Sequence, residues 1–462
     1  MRRRTTHGRH AALAGTLAVA LVAGCASEAD VDPVLAGDGG VVVGPTAADD
    51  PAAVAEAAVN DVDVYWRRTF PDTYGGDFRP LAGGFHASTP DSPPPPCGGT
   101  ALRYADIEDN ALYCPQSDYI AWDEVELIPW INENFGAFTI GIVFAHEFAH
   151  AVQARTGTQG RTVDLELQAD CFAGAWARDA VDGGSPTFQV DDRDLDDSVA
   201  GLIAISDVPG TVEDDPLAHG SGFDRIGSFL EGYEGGASVC AAYDGQQRAT
   251  VEIPFDEDDQ LTGGNMPLGD QGADAGLLSS VEVDLNDFYA LLFDALGRTF
   301  DPVDGLVVVD PSSQEVECGG EELSGDELSY AALYCEDEDL VVVDGVGLVP
   351  DLYTIGDFAV AAEIARLWAQ AAQSQLGVGQ GQGESLQADC LTGVWAFSSF
   401  EREDFTPDTL VMSAGDLDEG IMGFLAYGVP AEGEPTAFER TDALRAGFVE
   451  GYPACEEYAP LG

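Results

Sequence analysis

The sequence predicts an α+β fold: a mainly helical domain with a small sheet, present twice in tandem. Three observations predict it. The stretch Phe138–Gly157 places Phe138, Ile142, Ala145, Ala149 and Val152 at three- and four-residue steps and ends in Gly157, the pattern of one buried helix and its stop. Nine cysteines leave, after Cys25, two sets of four: Cys97, Cys114, Cys171, Cys240 and Cys318, Cys335, Cys390, Cys455, with gaps of 17, 57, 69 and 17, 55, 65. Phrases repeat with them. Ala111-Leu-Tyr-Cys114 returns as Ala332-Leu-Tyr-Cys335, Leu167-Gln-Ala-Asp-Cys171 as Leu386-Gln-Ala-Asp-Cys390, and Phe229-Leu-Glu-Gly-Tyr233 as Phe448-Val-Glu-Gly-Tyr452.

The N-terminal stretch reads as a targeting segment. Arg2, Arg3 and Arg4 precede a short apolar run, and Leu21-Val-Ala-Gly-Cys25 has small residues before a cysteine. We expect residues 1–24 to be a lipoprotein signal peptide, with a lipid on Cys25. The protein would then be exported and anchored at the outer face of the cell membrane. Residues 25–60, rich in Ala, Asp, Gly and Val, read as a flexible tether. The two domains follow at 61–243 and 278–462, with an acidic, Gly-rich linker at 244–277.

An exported compartment permits disulfides. Each set of four allows three pairings. We take Cys97 with Cys114, Cys171 with Cys240, Cys318 with Cys335, and Cys390 with Cys455, because the first pair in each set closes a short local loop. A cysteine metal site is disfavoured, since no C-x-x-C spacing occurs.

Within each domain the same order is expected: a Cys-bounded loop, a short strand (Tyr119–Asp123 and 340–343), the motif helix, then the Leu-Gln-Ala-Asp-Cys helix. Helices near Leu195–Ile205 and Arg225–Tyr233 close the first domain. The net charge is −64, from 83 acidic and 19 basic residues. Such a surface disfavours nucleic acid as a partner.

The chemistry lies in His146-Glu147-Phe148-Ala149-His150. On a helix the two histidines share a face one turn apart and can bind one Zn²⁺, with Glu147 close enough to take a proton from water. A catalytic zinc site of this kind needs a carboxylate from a second helix and outer groups to hold the imidazoles. Glu166 fits the first role and Asp170 the second; they stand four residues apart among Leu165, Leu167, Ala169, Phe172 and Trp176. A solvated acidic face would not sit in such apolar company.

HEFAHAVQ followed by ELQADCFAGAWA resembles the bacterial neutral zinc metallopeptidases of the zincin type, over roughly Asp61 to Tyr243. The resemblance implies His146, His150 and Glu166 as zinc ligands, Glu147 as general base, and a protein or peptide substrate. It also implies a His or Tyr that stabilises the oxyanion, for which His219 is the candidate. His86, in a Gly- and Pro-rich stretch, receives no role.

The second domain has lost this set. Aligning Phe138 on Phe358 puts Arg366 at His146, Leu367 at Glu147 and Gln370 at His150. Aligning the cysteines puts Ser385 at Glu166 and keeps Asp389 at Asp170. Phe438 falls at His219. The expected function is a zinc peptidase with one active and one degenerate domain. The alternative is a non-catalytic binding or assembly lipoprotein that retains the zincin fold.

Overall fold

The computed structural model describes residues 50–211, 219–243, 246–251, 253, 264–269, 276–378, 382–402, 409–427 and 434–459. The signal segment, Cys25 and the tether up to residue 49 lie outside the described residues, as does most of the expected linker.

Helix α1 (Pro51–Tyr74) opens the structure. The Asp50 carboxylate accepts from the Ala52 N–H, Pro51 needs no partner at the first helical position, and Val54, Ala55, Ala58, Val59 and Val62 turn inward. The predicted tether ran to residue 60, but its last ten residues belong to this helix. Composition suggested a linker there, whereas the three- and four-residue spacing of its apolar positions is that of a buried face.

A small sheet follows: β1 (Gly84–Ser88), β2 (Ala111–Cys114) and β3 (Tyr119–Asp123), in the order β1-β3-β2. β1 runs parallel to β3, and β2 pairs antiparallel with it at the edge. Asp123, fully buried, ends β3 and accepts from the N–H groups of Asp109, Val125 and Leu127. One carboxylate thereby ties the sheet to the start of α2 (Leu127–Thr156). Gly136 breaks α2 at φ 77°, a left-handed conformation suited to glycine, and the motif lies on the segment after the break. Then come α3 (Thr162–Val181), α4 (Asp192–Ala204), α5 (Gly222–Gly235) and α6 (Ala237–Ala241). The two helices expected near 195–205 and 225–233 are α4 and α5. Both start about three residues earlier, where Asp191 and Ser221 cap them.

The second half runs through a matching order. It contains α7 (Leu277–Ala295), β4 (Gly305–Val309), the hairpin β5 (Glu315–Cys318) and β6 (Glu321–Ser324), then β7 (Ala332–Cys335) and β8 (Leu340–Asp344). Helices α8 (Leu348–Ile355), α9 (Asp357–Leu376), α10 (Gln382–Phe400), α11 (Asp416–Tyr427), α12 (Ala437–Glu450) and α13 (Tyr452–Tyr458) complete it. Its sheet order is β4-β8-β7, with the same parallel and antiparallel pairs. Buried contacts correspond as well. Trp176 Nε1 donates to Asp61 at 3.1 Å, and Trp395 Nε1 to Asp284 at 2.8 Å. The protein is thus mainly helical with small sheets. The cysteines stand in four pairs at disulfide distance, with Cα–Cα separations of 5.8 Å (97–114), 5.6 Å (171–240), 4.8 Å (318–335) and 5.5 Å (390–455).

One sequence alignment is corrected here. Phe229–Tyr233 does not correspond to Phe448–Tyr452. Gly232 lies against the Cys171 carbonyl and Gly447 against that of Cys390, while Arg225 pairs with Asp170 and Arg440 with Asp389. The true register is shifted by four residues, one helical turn. The repeated phrase misled because four residues are missing between the last two cysteines of the second set, and a one-turn slip on a helix preserves the apolar face. Counting back from the caps Ser221 and Thr436, the position of His219 corresponds to Glu434, not Phe438.

The described parts of the linker are not free. Arg248 N–H donates to Asp164 and Val251 N–H to Asp224 in the first half, and Met266 N–H donates to Asp357 in the second. Each end is pinned to its own half, since a buried backbone N–H must find an acceptor.

Two predictions follow from this packing. A Cβ on Gly232 would lie 1.7 Å from the Cys171 carbonyl oxygen, so Gly232→Ala should lower the unfolding free energy by roughly 1–3 kcal/mol in a urea titration. The second concerns pH. Where the halves meet, burial pushes Asp224 up to about 7 and Asp418 and Asp442 up to about 6. Unfolded, such groups titrate near about 4. The native state therefore binds more protons than the unfolded state between those values. That stabilisation is complete below about pH 4 and is lost as pH rises through 6 to 7. Thermal scans at constant ionic strength should show the Tm falling from pH 5 to pH 8.

Candidate metal centre

Helix α2 puts His146 and His150 on one face, and α3 brings Glu166 and Asp170 against it. His146 and Glu166 are buried, and Asp170 is completely so. The Nε2 atoms of His146 and His150 are 3.2 Å apart. Glu166 Oε2 lies 3.0 Å from the first and 3.5 Å from the second. These three separations suit a common tetrahedral cation. Bonds of about 2.0–2.1 Å, usual for zinc, give a tetrahedron with edges of about 3.3 Å. Two imidazoles and a carboxylate also form a donor set that zinc prefers. The residues present therefore fit the ion.

The outer groups are equally defined. His146 Nδ1 meets Asp170 Oδ1 at 2.8 Å, so the imidazole turns Nε2 toward the cluster. Asp170 in turn accepts from Arg225 Nε at 2.8 Å and Nη2 at 2.9 Å, a fork of two charge-assisted bonds with no solvent on either partner. His150 Nδ1 meets Gln153 Oε1 at 2.9 Å, and Gln153 Nε2 donates to the Leu165 carbonyl and to Gln168.

Burial alone would raise Glu166, but His150 and His146 beside it hold its carboxyl well below the usual carboxylate range. Asp170 is likewise held down against burial, by Arg225 and His146. Burial would depress His146, yet Asp170 and Glu166 outweigh it and raise the imidazole well above its ordinary value. The pocket thus draws positive charge to the point where the three donors converge. Glu147 is different: burial raises it, with opposition from the two histidines. Together with His146 it lines a cleft beside Asn110, Ile131, Val143 and Ala111, the first residue of β2.

His219 stands apart from the three donors. It follows α4, where its ring meets Asp207 at 3.2 Å and its N–H donates to the same carboxylate. The adjoining Gly220 backs onto Leu167, Arg225 and Val163. Two supporting residues escaped the sequence reading. Gln153 had a signal, because it lies three residues after His150 and Gln373 makes the same bonds in the second half. Arg225 had a weaker one, a lone cation in an apolar helix.

At the matching place in the second half, Arg366 pairs with Glu363 at 3.1 Å and Arg440 with Asp389 at 3.0 Å. Ser385 stands where Glu166 does, and Leu367 where Glu147 does. These two guanidinium groups and two carboxylates satisfy each other.

Comparison with known proteins agrees with this chemistry. A family described as "Putative neutral zinc metallopeptidase" matches residues 44–243. The uncharacterized proteins Mb2605 of Mycobacterium bovis and Rv2575 of Mycobacterium tuberculosis are 29% identical over 214 residues, spanning 40% of this chain and 69% of theirs. The uncharacterized protein YpfJ of Escherichia coli is 28% identical over 150 residues, 27% of this chain and 50% of its own. No solved structure matches the chain.

Removing the acidity of Asp170 tests the outer layer. Asp170→Asn should weaken zinc binding by roughly ten- to a hundredfold, read by competition with a chromogenic chelator, and should lower the unfolding free energy by roughly 3–5 kcal/mol, because buried Arg225 loses its charge partner. Unchanged affinity would detach Asp170 from the site.

Proposed function

We propose that the protein is a zinc-dependent peptidase whose first half carries the chemistry and whose second half is a degenerate copy of it. The convergence of His146, His150 and Glu166, with Glu147 beside them on a cleft, carries this reading. The family match over residues 44–243 supports it independently.

In this reading His146, His150 and Glu166 hold the ion, Asp170 and Gln153 orient the two imidazoles, and Arg225 fixes Asp170. Zinc, when bound, supplies Lewis acidity that makes water a better nucleophile and polarises a carbonyl. Glu147 takes the proton from the attacking water and later delivers it to the leaving amine. Burial suits that role, because it lifts a carboxyl toward the pH at which it must both accept and release a proton. We assign His219 to stabilising the oxyanion. Its ring is held by Asp207.

The substrate is proposed to be an extended peptide. β2 is an edge strand paired only with β3 among the described residues, and its start lines the cleft with Glu147. An extended chain can add to such an edge by main-chain hydrogen bonds. We further propose export and a lipid on Cys25, which would place this site at the outer face of the cell membrane. The second half offers Arg366, Gln370 and Ser385 where the first has ligands, so it would bind no zinc there.

Glu147→Gln tests the mechanism. It should retain one zinc per chain and lose about a hundred- to ten-thousandfold in peptide hydrolysis, the range that general acid–base catalysis contributes. Casein cleavage at the wild-type rate by the zinc-loaded variant would sink the mechanism. Wild-type protein with one zinc and no cleavage would favour a binding lipoprotein instead.

A further inference from the structure

The contacts between the halves come in matched pairs. Asp418 of α11 accepts from the N–H groups of Gly222 (2.9 Å) and Phe223 (2.6 Å), capping α5 of the first half. Asp196 of α4 accepts from the Phe438 N–H at 2.7 Å, capping α12 of the second half. In the corrected register Phe223 corresponds to Phe438. Asp196 corresponds to Asp418, because the capping pairs Asp191/Asp194 and Ser413/Asp416 begin their respective helices. Each half therefore caps the equivalent helix of the other with the equivalent carboxylate.

The rings repeat this exchange. Phe223 meets Phe448 edge-on with centroids 5.1 Å apart and planes at 68°; Tyr233 meets Phe438 at 5.0 Å and 68°. Tyr233 and Phe448 are equivalent by the same shift. A surface on which residue i meets j while the equivalent of j meets the equivalent of i is isologous, the signature of a two-fold dimer. Here both copies lie in one chain.

One contact breaks the symmetry. Arg445, half-buried in the second half, stacks on the Phe223 ring at 4.9 Å and donates from Nε to the Phe223 carbonyl at 3.2 Å. Its equivalent in the first half is Leu230, which cannot return either bond. The added hold acts on α5, the helix that carries Arg225. From Phe223 the path is short: Arg225 forks onto Asp170, and Asp170 orients His146.

We infer that α4, α5, α11 and α12 form a self-complementary dimer interface fused within one chain, and that the partner filling it, the second half, positions α5 so that Arg225 meets Asp170. The degenerate half is neither a spacer nor a second enzyme. Its partner is the first half, and its service to the metal centre rests on the peptidase reading above.

The test uses the full chain with a protease site inserted between Ile253 and Gly264. The four cysteine pairs all lie within a half, so no covalent link survives the cut. The cut halves should elute together as one particle in size exclusion. Separate elution would overturn the interface. Phe223→Ala with Phe438→Ala should let the halves part after cutting while leaving the uncut chain folded. Continued co-elution of that variant would show that this surface does not hold them. In the uncut chain Asp418→Ala should weaken zinc affinity by up to about tenfold, at the low end for an outer group. Asp418→Asn, whose amide oxygen still accepts from the α5 N–H groups, should restore it. Zinc affinity indifferent to both changes would overturn the positioning role. Co-elution without zinc binding in any form would leave the interface standing and count against the peptidase reading alone.

Discussion

The buried carboxylate of Asp170 is the constraint around which the first half is arranged. It has no exposure to water, and an unpaired charge there would cost several kcal/mol. Two bonds from Arg225 and one from His146 satisfy it, and these come from two other helices. Helix α3 must therefore sit between α2 and α5 at one fixed depth and rotation. Gly232 permits that depth, because the Cys171 carbonyl leaves no room for a side chain. The same carboxylate sets the direction of His146 Nε2, so one charge serves both the packing and the candidate metal centre.

The second half keeps the carboxylate and changes what answers it. Asp389 still takes a fork from Arg440, but Arg366 stands where His146 would be and brings Glu363 with it. In the first half three donors converge and leave a demand for a cation. In the second a guanidinium is covalently part of the frame and meets that demand. This physical difference separates a site that fits zinc from one that does not, on frames with the same sheet order and the same glutamine bonds.

The acidity of the chain shapes how the halves meet. With a net charge of −64, two acidic bodies must find local reasons to associate. The structure uses carboxylates as helix caps, where backbone N–H groups and the helix dipole favour negative charge. It adds stacked rings and one half-buried arginine, Arg445. Burial lifts the affinity of several interface carboxylates for protons, so part of this charge is muted where the surfaces touch.

Much of the candidate site was legible in the sequence because helix periodicity is local. Four-residue spacing alone put His146 with His150 and Glu166 with Asp170, and the apolar residues between them indicated burial. That Arg366, Leu367, Gln370 and Ser385 stand at the matching positions of the second half was equally readable. Other features depended on the third dimension. The start of α1 was obscured because composition cannot tell a tether from a helix whose partners are distant. The register of α12 was misread because a one-turn slip preserves an apolar face, and only the contacts of Gly447 and Arg440 distinguish the two registers. Arg225 and Asp418 act on residues 55 and 195 positions away, and no local pattern encodes such a distance. The sequence by itself determined which side chains could bind a cation and that they stand in the first half. Only the tertiary structure decided what holds those side chains in place, because that support comes from helices brought together by packing.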